Sequence, residues 1–210
     1  TPARKSVRRF RQRTLPGSTQ ADKPSLTGAS VSVEADAKEG ISSLLIAAAG
    51  AQTAAVSTSV NVNRQLSDVY ALVEHSELAG NYAQNSNYLS RITTSAITAT
   101  GALYAAVPVS VVINYADNAV SSSLVHTLLN AEGKAASVVA KRTSELSSLN
   151  VTAGVAMDAA VAGLVNVNTV EGSTSSEVND SEVKAGQFSI NAENEDRLKV
   201  TDVTATAAIG

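Results

Sequence analysis

The chain has 210 residues, enough for one large domain, and contains no Cys, no Trp, two Phe, five Tyr and one Met. Aromatic residues are 3% of it while the apolar set reaches 44%, so the apolar content is mostly small or branched aliphatic, with 35 Ala. That excludes a disulfide framework, thiolate metal sites and a Cys nucleophile, and it suits a thin core better than one built on large rings. The formal charge of −3 hides an asymmetry. Residues 1–13 carry Arg4, Lys5, Arg8, Arg9, Arg11 and Arg13 with no acid, leaving ten bases against nineteen acids, or −9, in the remainder.

In chain order the first element is this basic head. Residues 1–25 include Pro2, Pro16, Gly17 and Pro24 and lack apolar periodicity, which predicts an extended arm or linker ahead of an acidic body over 26–210. No apolar run reaches the ~18 residues of a helical membrane span, and no signal-peptide core precedes the body. The expectation is a soluble, processed piece of something longer, with no membrane insertion.

The body repeats. Ile41-Ser-Ser-Leu-Leu-Ile46-Ala-Ala returns from Ile92, from Leu146 and from Leu198, at offsets of 51, 54 and 52. Val60-Asn-Val-Asn63 returns as Val111-Val-Ile-Asn114 and Val165-Asn-Val-Asn168. His75-Ser-Glu-Leu78-Ala-Gly80 returns from His126 and from Asp180. Three blocks in one register mark a repeat architecture.

Apolar anchors divide the repeat further: Leu26, Ile41, Val60, Leu78, Ile92, Val111, Leu129, Leu146, Val165, Val183 and Leu198, separated by 14 to 19 residues. Length changes fall only in the step after the Ala-Gly turn, as expected of a surface loop between stacked units. This spacing predicts coils of 14 to 19 residues, three per repeat and about ten in all, in a rod roughly 50 Å long. Alternation of period two, as in Val31, Val33 and Ala35, in Val60 and Val62, in Val69, Ala71 and Val73, and in Phe188, Ile190 and Ala192, predicts strands. Their Val, Ile, Leu, Ala and Ser residues are expected inside, and Ser, Thr, Asn, Asp and Glu outside. Asn63, Asn114 and Asn168 would then lie three coils apart and form no ladder unless the intermediate coils supply partners. A helical repeat, favoured by the Ala-rich 42–56, is opposed by Gly50, Gly101, Gly154 and the β-branched alternation. The fold class expected is all-β, a parallel β-solenoid of about ten coils in 51–54-residue repeats.

Segments such as Tyr70-Ala-Leu-Val-Glu-His-Ser-Glu-Leu-Ala-Gly80, the stretch from Ala99 to Asn114, and Glu177-Val-Asn-Asp-Ser-Glu-Val-Lys-Ala-Gly186 resemble the repeats of large filamentous-haemagglutinin-like adhesins, above all the leukotoxin-type adhesins of anaerobic bacteria. The likeness covers about 26–210 and leaves 1–25 unexplained. It implies a right-handed parallel β-helix exported by a two-partner or autotransporter route to the bacterial surface or medium. It also implies a role in attachment to a host-cell or surface receptor, protein or glycan.

A β-helix polysaccharide-active enzyme would need clustered acids, but Glu74, Glu77, Asp180 and Glu182 sit near coil corners and Glu193, Glu195 and Asp196 flank a variable loop. His75 and His126 share one repeat position whose third copy is Asp180. Three coils would separate them by about 14 Å, too far to share a metal. No nucleophile elbow, Walker loop, dinucleotide fingerprint or calcium loop occurs. Neither a catalytic residue nor a cofactor nor a metal is therefore expected. Partner contact is expected from variable loops at 81–90 and 130–143, through Asn81, Tyr82, Asn85, Tyr88, Glu132, Lys134, Lys141 and Arg142. Open coil ends predict end-to-end self-association. The basic arm offers the alternative of a coat-type assembly protein binding nucleic acid, which the acidic body disfavours.

Overall fold

The computed structural model describes residues 5–10 and 25–209. Nine strands make it up: β1 Lys5–Phe10, β2 Ser25–Ala51, β3 Ala54–Glu74, β4 Glu77–Ala102, β5 Ala105–Val125, β6 Leu128–Ala156, β7 Ala159–Ala160, β8 Gly163–Asn179 and β9 Glu182–Ala208. No helix occurs among the described residues, which removes the helical reading of 42–56. All pairings are parallel. A first sheet runs β1-β3-β5 with both β7 and β8 on β5, and a second runs β2-β4-β6-β9.

The chain alternates between the sheets, so each full circuit adds one strand to the second sheet and one to the first, the last of these split into β7 and β8. Ile41 pairs with Ile92, Ile92 with Leu146, and Leu146 with Leu198. One rung is thus the whole 51–54-residue repeat, two long strands and two turns. This corrects the coil of 14 to 19 residues: the second sheet holds four strands, not ten coils, and spans about 14 Å along the stack instead of roughly 50 Å.

The two sheets face each other. Ser57 meets Thr100, Ser59 meets Thr98, and Asn63 meets Thr94. Numbers rise along β3 as they fall along β4, so facing strands run antiparallel across the interior. β1 pairs in parallel with β3, Lys5 opposite Asp68 and Phe10 opposite Val73. Arg4, Arg11 and Arg13 of the basic head lie outside the described residues.

At one end of each rung the turn is built on a left-handed residue, His75, His126 or Asp180, with φ of 50°, 49° and 47°. The next residue is a hydroxyl amino acid each time. Ser76, Thr127 and Ser181 donate to the carbonyls of Glu74, Val125 and Asn179 at 2.9, 2.9 and 2.8 Å, closing the turn locally. Because copies sit in adjacent rungs, the His75 and His126 rings stack with centroids 4.9 Å apart, not 14 Å. His126 Nε2 lies 3.5 Å from Asp180 Oδ2.

Register changes in the second sheet fall at one place, between Thr27 and Ser30, Ala79 and Tyr82, and Ala131 and Ala135. The length variation is therefore a bulge inside a long strand. Gly80 there has φ +125°, and a Cβ on it would lie 2.1 Å from the carbonyl oxygen of Gly28. Residues 81–90 and 130–143 are strand throughout, which corrects their reading as loops.

Near the His75 turn the interior is apolar. Val31, Val73, Leu78, Tyr82, Leu124, Leu129 and Val138 form one cluster, and Ala35, Val69, Ala71, Tyr88, Val120 and Ala140 the next. Ile92, Ala116 and Leu146 form the last. Polar side chains such as Gln84, Ser86 and Ser122 are buried among these clusters and predominate beyond Ile92, so that among the described residues 22 buried positions are polar or charged against 23 apolar. Apolar burial alone therefore does not hold the rungs together.

Candidate functional site: an inverted half of each rung

The site grows out of a constraint on strand register. Val69, Ala71 and Val73 are buried, and β3 runs without a bulge back to Ala54. Side chains alternate strictly along a strand, so the apolar end dictates which residues of the far end face inward. Those are Ser57, Ser59, Asn63, Gln65 and Ser67. Val60 and Val62 are turned outward, 58% and 62% exposed, which corrects their expected place inside.

Partners for the inward polar groups come from neighbouring rungs and from the facing sheet. Ser59 donates to Ser110 at 2.9 Å, and Ser110 to Asn150 at 2.8 Å. Asn63 Nδ2 donates to Thr94 Oγ1 at 2.9 Å and to Asn114 Oδ1 at 2.8 Å, and Asn114 donates to Asn168 at 2.7 Å. The three asparagines form a ladder after all, because equivalent residues are one rung apart. Buried amides and hydroxyls paired in this way avoid the cost of unmet hydrogen bonds.

Outward, the same half-rung is aliphatic. The first sheet stacks Val60, Val111 and Val165, then Val62, Ile113 and Val167. The second stacks Ile46, Ile97, Val151 and Val203 beside Ala48, Ala99, Ala153 and Ala205. Residues 41–63 and 92–116 contain no Asp, Glu, Lys or Arg, and 146–170 contain only Asp158. This charge-free stretch is the sequence signal for the surface; its apolar alternation alone does not say which face is inside.

A charged row bounds the band on the second sheet. Glu145 accepts from Arg91 Nε at 2.8 Å and from Arg197 Nη1 at 3.3 Å. The Arg91 guanidinium, together with Arg197, holds the Glu145 carboxyl below the usual carboxylate range. Arg91, Thr93, Glu145, Ser147, Arg197 and Lys199 line a shallow hollow of about 220 Å³ there.

The eight residues expected to contact a partner divide sharply. Asn81, Glu132 and Lys134 are exposed, the last two in the bulge, and Asn85 is half-buried. Lys141 reaches the solvent and pairs with Glu193 at 2.9 Å. Tyr82 at 3%, Tyr88 at 2% and Arg142 at 1% exposure are core residues, because the alternation resumes inward after the bulge. Burial pushes both tyrosine hydroxyls up, Tyr88 to about 12. Arg142 donates to Asp196 Oδ2 and to the carbonyl of Glu171, both at 2.8 Å.

Glu74 and Glu77 flank the His75 turn, and Glu182 follows the Asp180 turn. Glu193 and Glu195 lie within β9 and pair with Lys141 and Arg197. Among the described residues no group of three His, Asp or Glu could hold a metal ion, and no helix is long and apolar enough to cross a membrane. In comparisons with known proteins the chain matches no family model, no curated protein and no solved structure.

Proposed function

We propose that this chain is a structural and adhesive segment of a filamentous protein displayed on or released from a bacterial surface, its two sheets being one stretch of a right-handed β-solenoid. The observation that carries this reading is the unbroken parallel register from Ile41 to Leu198. Each repeat adds one strand to the second sheet and one to the first, split into β7 and β8 in the last repeat, and among the described residues neither sheet closes on itself. Such a stack lengthens by addition of rungs and suits a spacer that presents side surfaces along its length. Asp196, Glu193 and Glu195 are all engaged by cations, which favours contact over clustered-acid hydrolysis.

Binding of the purified chain to cultured cells and to immobilised glycans tests the reading, run beside a polysaccharide-depolymerisation screen. Saturable binding without depolymerisation is expected. Cleavage of a polysaccharide, or no binding to any cell or glycan surface, would overturn it.

A further inference from the structure

The hollow on the outer face of the second sheet is built by a grid of side chains. Arg91, Glu145 and Arg197 stand in register on three successive strands, and Thr93, Ser147 and Lys199 form the next outward row. These two rows line the hollow of about 220 Å³, and Leu149, 39% exposed, stands two residues beyond Ser147 on the same face.

The hollow holds more donors than the fold uses. Glu145 takes Nε and Nη2 of Arg91, and Glu145 and Glu195 share Arg197. Arg91 Nη1, the Lys199 ammonium and the hydroxyls of Thr93 and Ser147 have no partner among the described residues. The side chains of Arg91 and Arg197 remain 64% and 65% exposed. Arg91, Arg197 and Lys199 against Glu145 and Glu195 leave the hollow at +1, although the chain beyond residue 13 carries −9. The first sheet has no counterpart, since on its outer face Arg64 lies over the Tyr115 ring with Asp68, Asp117 and Glu171 around it.

This donor set defines a ligand chemistry. Guanidinium and ammonium groups with free N–H bonds select a carboxylate or a sulfate. Hydroxyls such as those of Thr93 and Ser147 both donate to and accept from alcohols, and Leu149 offers an apolar surface to the C–H side of a sugar ring. The volume is below the roughly 300–1,000 Å³ of pockets that enclose a drug-sized ligand. It suits one unit of a polymer lying along the face.

We propose that the hollow binds an acidic polysaccharide, with its carboxylate or sulfate on Arg91 and Lys199 and its hydroxyls on Thr93 and Ser147. This ligand class rests on the adhesive reading, in which outward side chains make the contacts.

Calorimetric titration of the full chain at low salt tests it with three hexasaccharides: oligogalacturonate, sulfated maltohexaose and plain maltohexaose. At least one acidic probe should bind, the choice between them telling carboxylate from sulfate recognition, and maltohexaose should not. Arg91→Gln/Lys199→Gln should weaken the acidic probe about tenfold or more, the effect of losing charge-assisted hydrogen bonds. Lys184→Gln, elsewhere on the surface, should stay within about twofold of wild type. Amide shifts during the titration should centre on Thr93, Ser147 and Lys199. Should the double variant fail to fold, Lys199→Gln alone serves, because its ammonium has no partner in the fold. An undiminished double variant, maltohexaose bound as tightly as the acids, or loss of binding only in Arg8→Gln/Arg9→Gln of the basic arm would overturn the site. So would no acidic probe bound at about 5 mM, and saturable cell binding by that same wild type would strike the ligand class while leaving adhesion standing.

Discussion

Asn63 and Asn114, 51 residues apart in sequence, are joined by a 2.8 Å hydrogen bond from Nδ2 of the first to Oδ1 of the second. Asn114 is fully buried, accepts also from Thr94 at 2.7 Å, and donates to Asn168. Removing it takes a donor and an acceptor from three partners at once. Asn114→Ala should destabilise the fold by about 2–4 kcal/mol, since groups left unpaired inside lose their full solvation. Asn63→Ala should cost less, its site lying in the first rung. Urea denaturation of both variants measures the difference.

Gly172 and Gly101 offer a paired test of local packing. A Cβ on Gly172, at φ +141°, would lie 2.1 Å from the Asn118 carbonyl oxygen and 2.8 Å from Arg142 Nη1. The same atom on Gly101 would meet nothing within 4 Å. Gly172→Ala should therefore cost about 2 kcal/mol or more through strain and displacement of the Arg142 guanidinium. Gly101→Ala should be neutral or stabilising by about 0.4–1 kcal/mol. Thermal melts of the two variants should shift in opposite directions or by clearly different amounts.

The turn at His126 makes a conformational prediction. Its φ of 49° is a region that L residues with branched side chains enter at about 1–2 kcal/mol. His126→Val should lower stability by that order, while His126→Asn and His126→Gly should stay within about 0.5 kcal/mol of wild type. If Val proves as well tolerated as Asn, the left-handed turn is wrong. Chemical denaturation supplies the readout.

Alkaline pH should unfold the chain through its buried tyrosines. Desolvation raises the Tyr88 hydroxyl from its ordinary value of 10 to about 12. A group whose folded value is raised contributes stability that is complete below its unfolded value and is lost as pH climbs through the folded one. Stability should hold up to about pH 10 and fall between about pH 10 and 12. Tyrosinate absorbance from Tyr82 and Tyr88 should appear together with loss of the strand spectrum. Tyr88→Phe should reduce this pH sensitivity, although its hydroxyl bonds with Gln65 and Glu39 are lost too.

Much of the architecture was legible. The recurring blocks showed a repeat, the alternation showed strands, and the single place of length change proved to be the bulge at Gly80. The rung length was misread because evenly spaced anchors look like equivalent units. Their parity shows otherwise: Ile92 and Leu78 are buried while Val60 is exposed. Anchors of one kind of coil would all face the same way. Tyr82, Tyr88 and Arg142 were misplaced for a related reason, since a bulge beside a strand keeps the inward alternation that a loop would break.

By itself the sequence determined that this chain is a parallel β repeat with small aliphatic and polar side chains in register, because identical blocks must occupy identical environments. Only the tertiary structure decided which face of each block is inside. Alternation fixes two faces but not their assignment. In β3 the apolar end at Val69, Ala71 and Val73 sets the register for the whole strand, so Asn63 is drawn into the interior and Val60 and Val62 are left facing water.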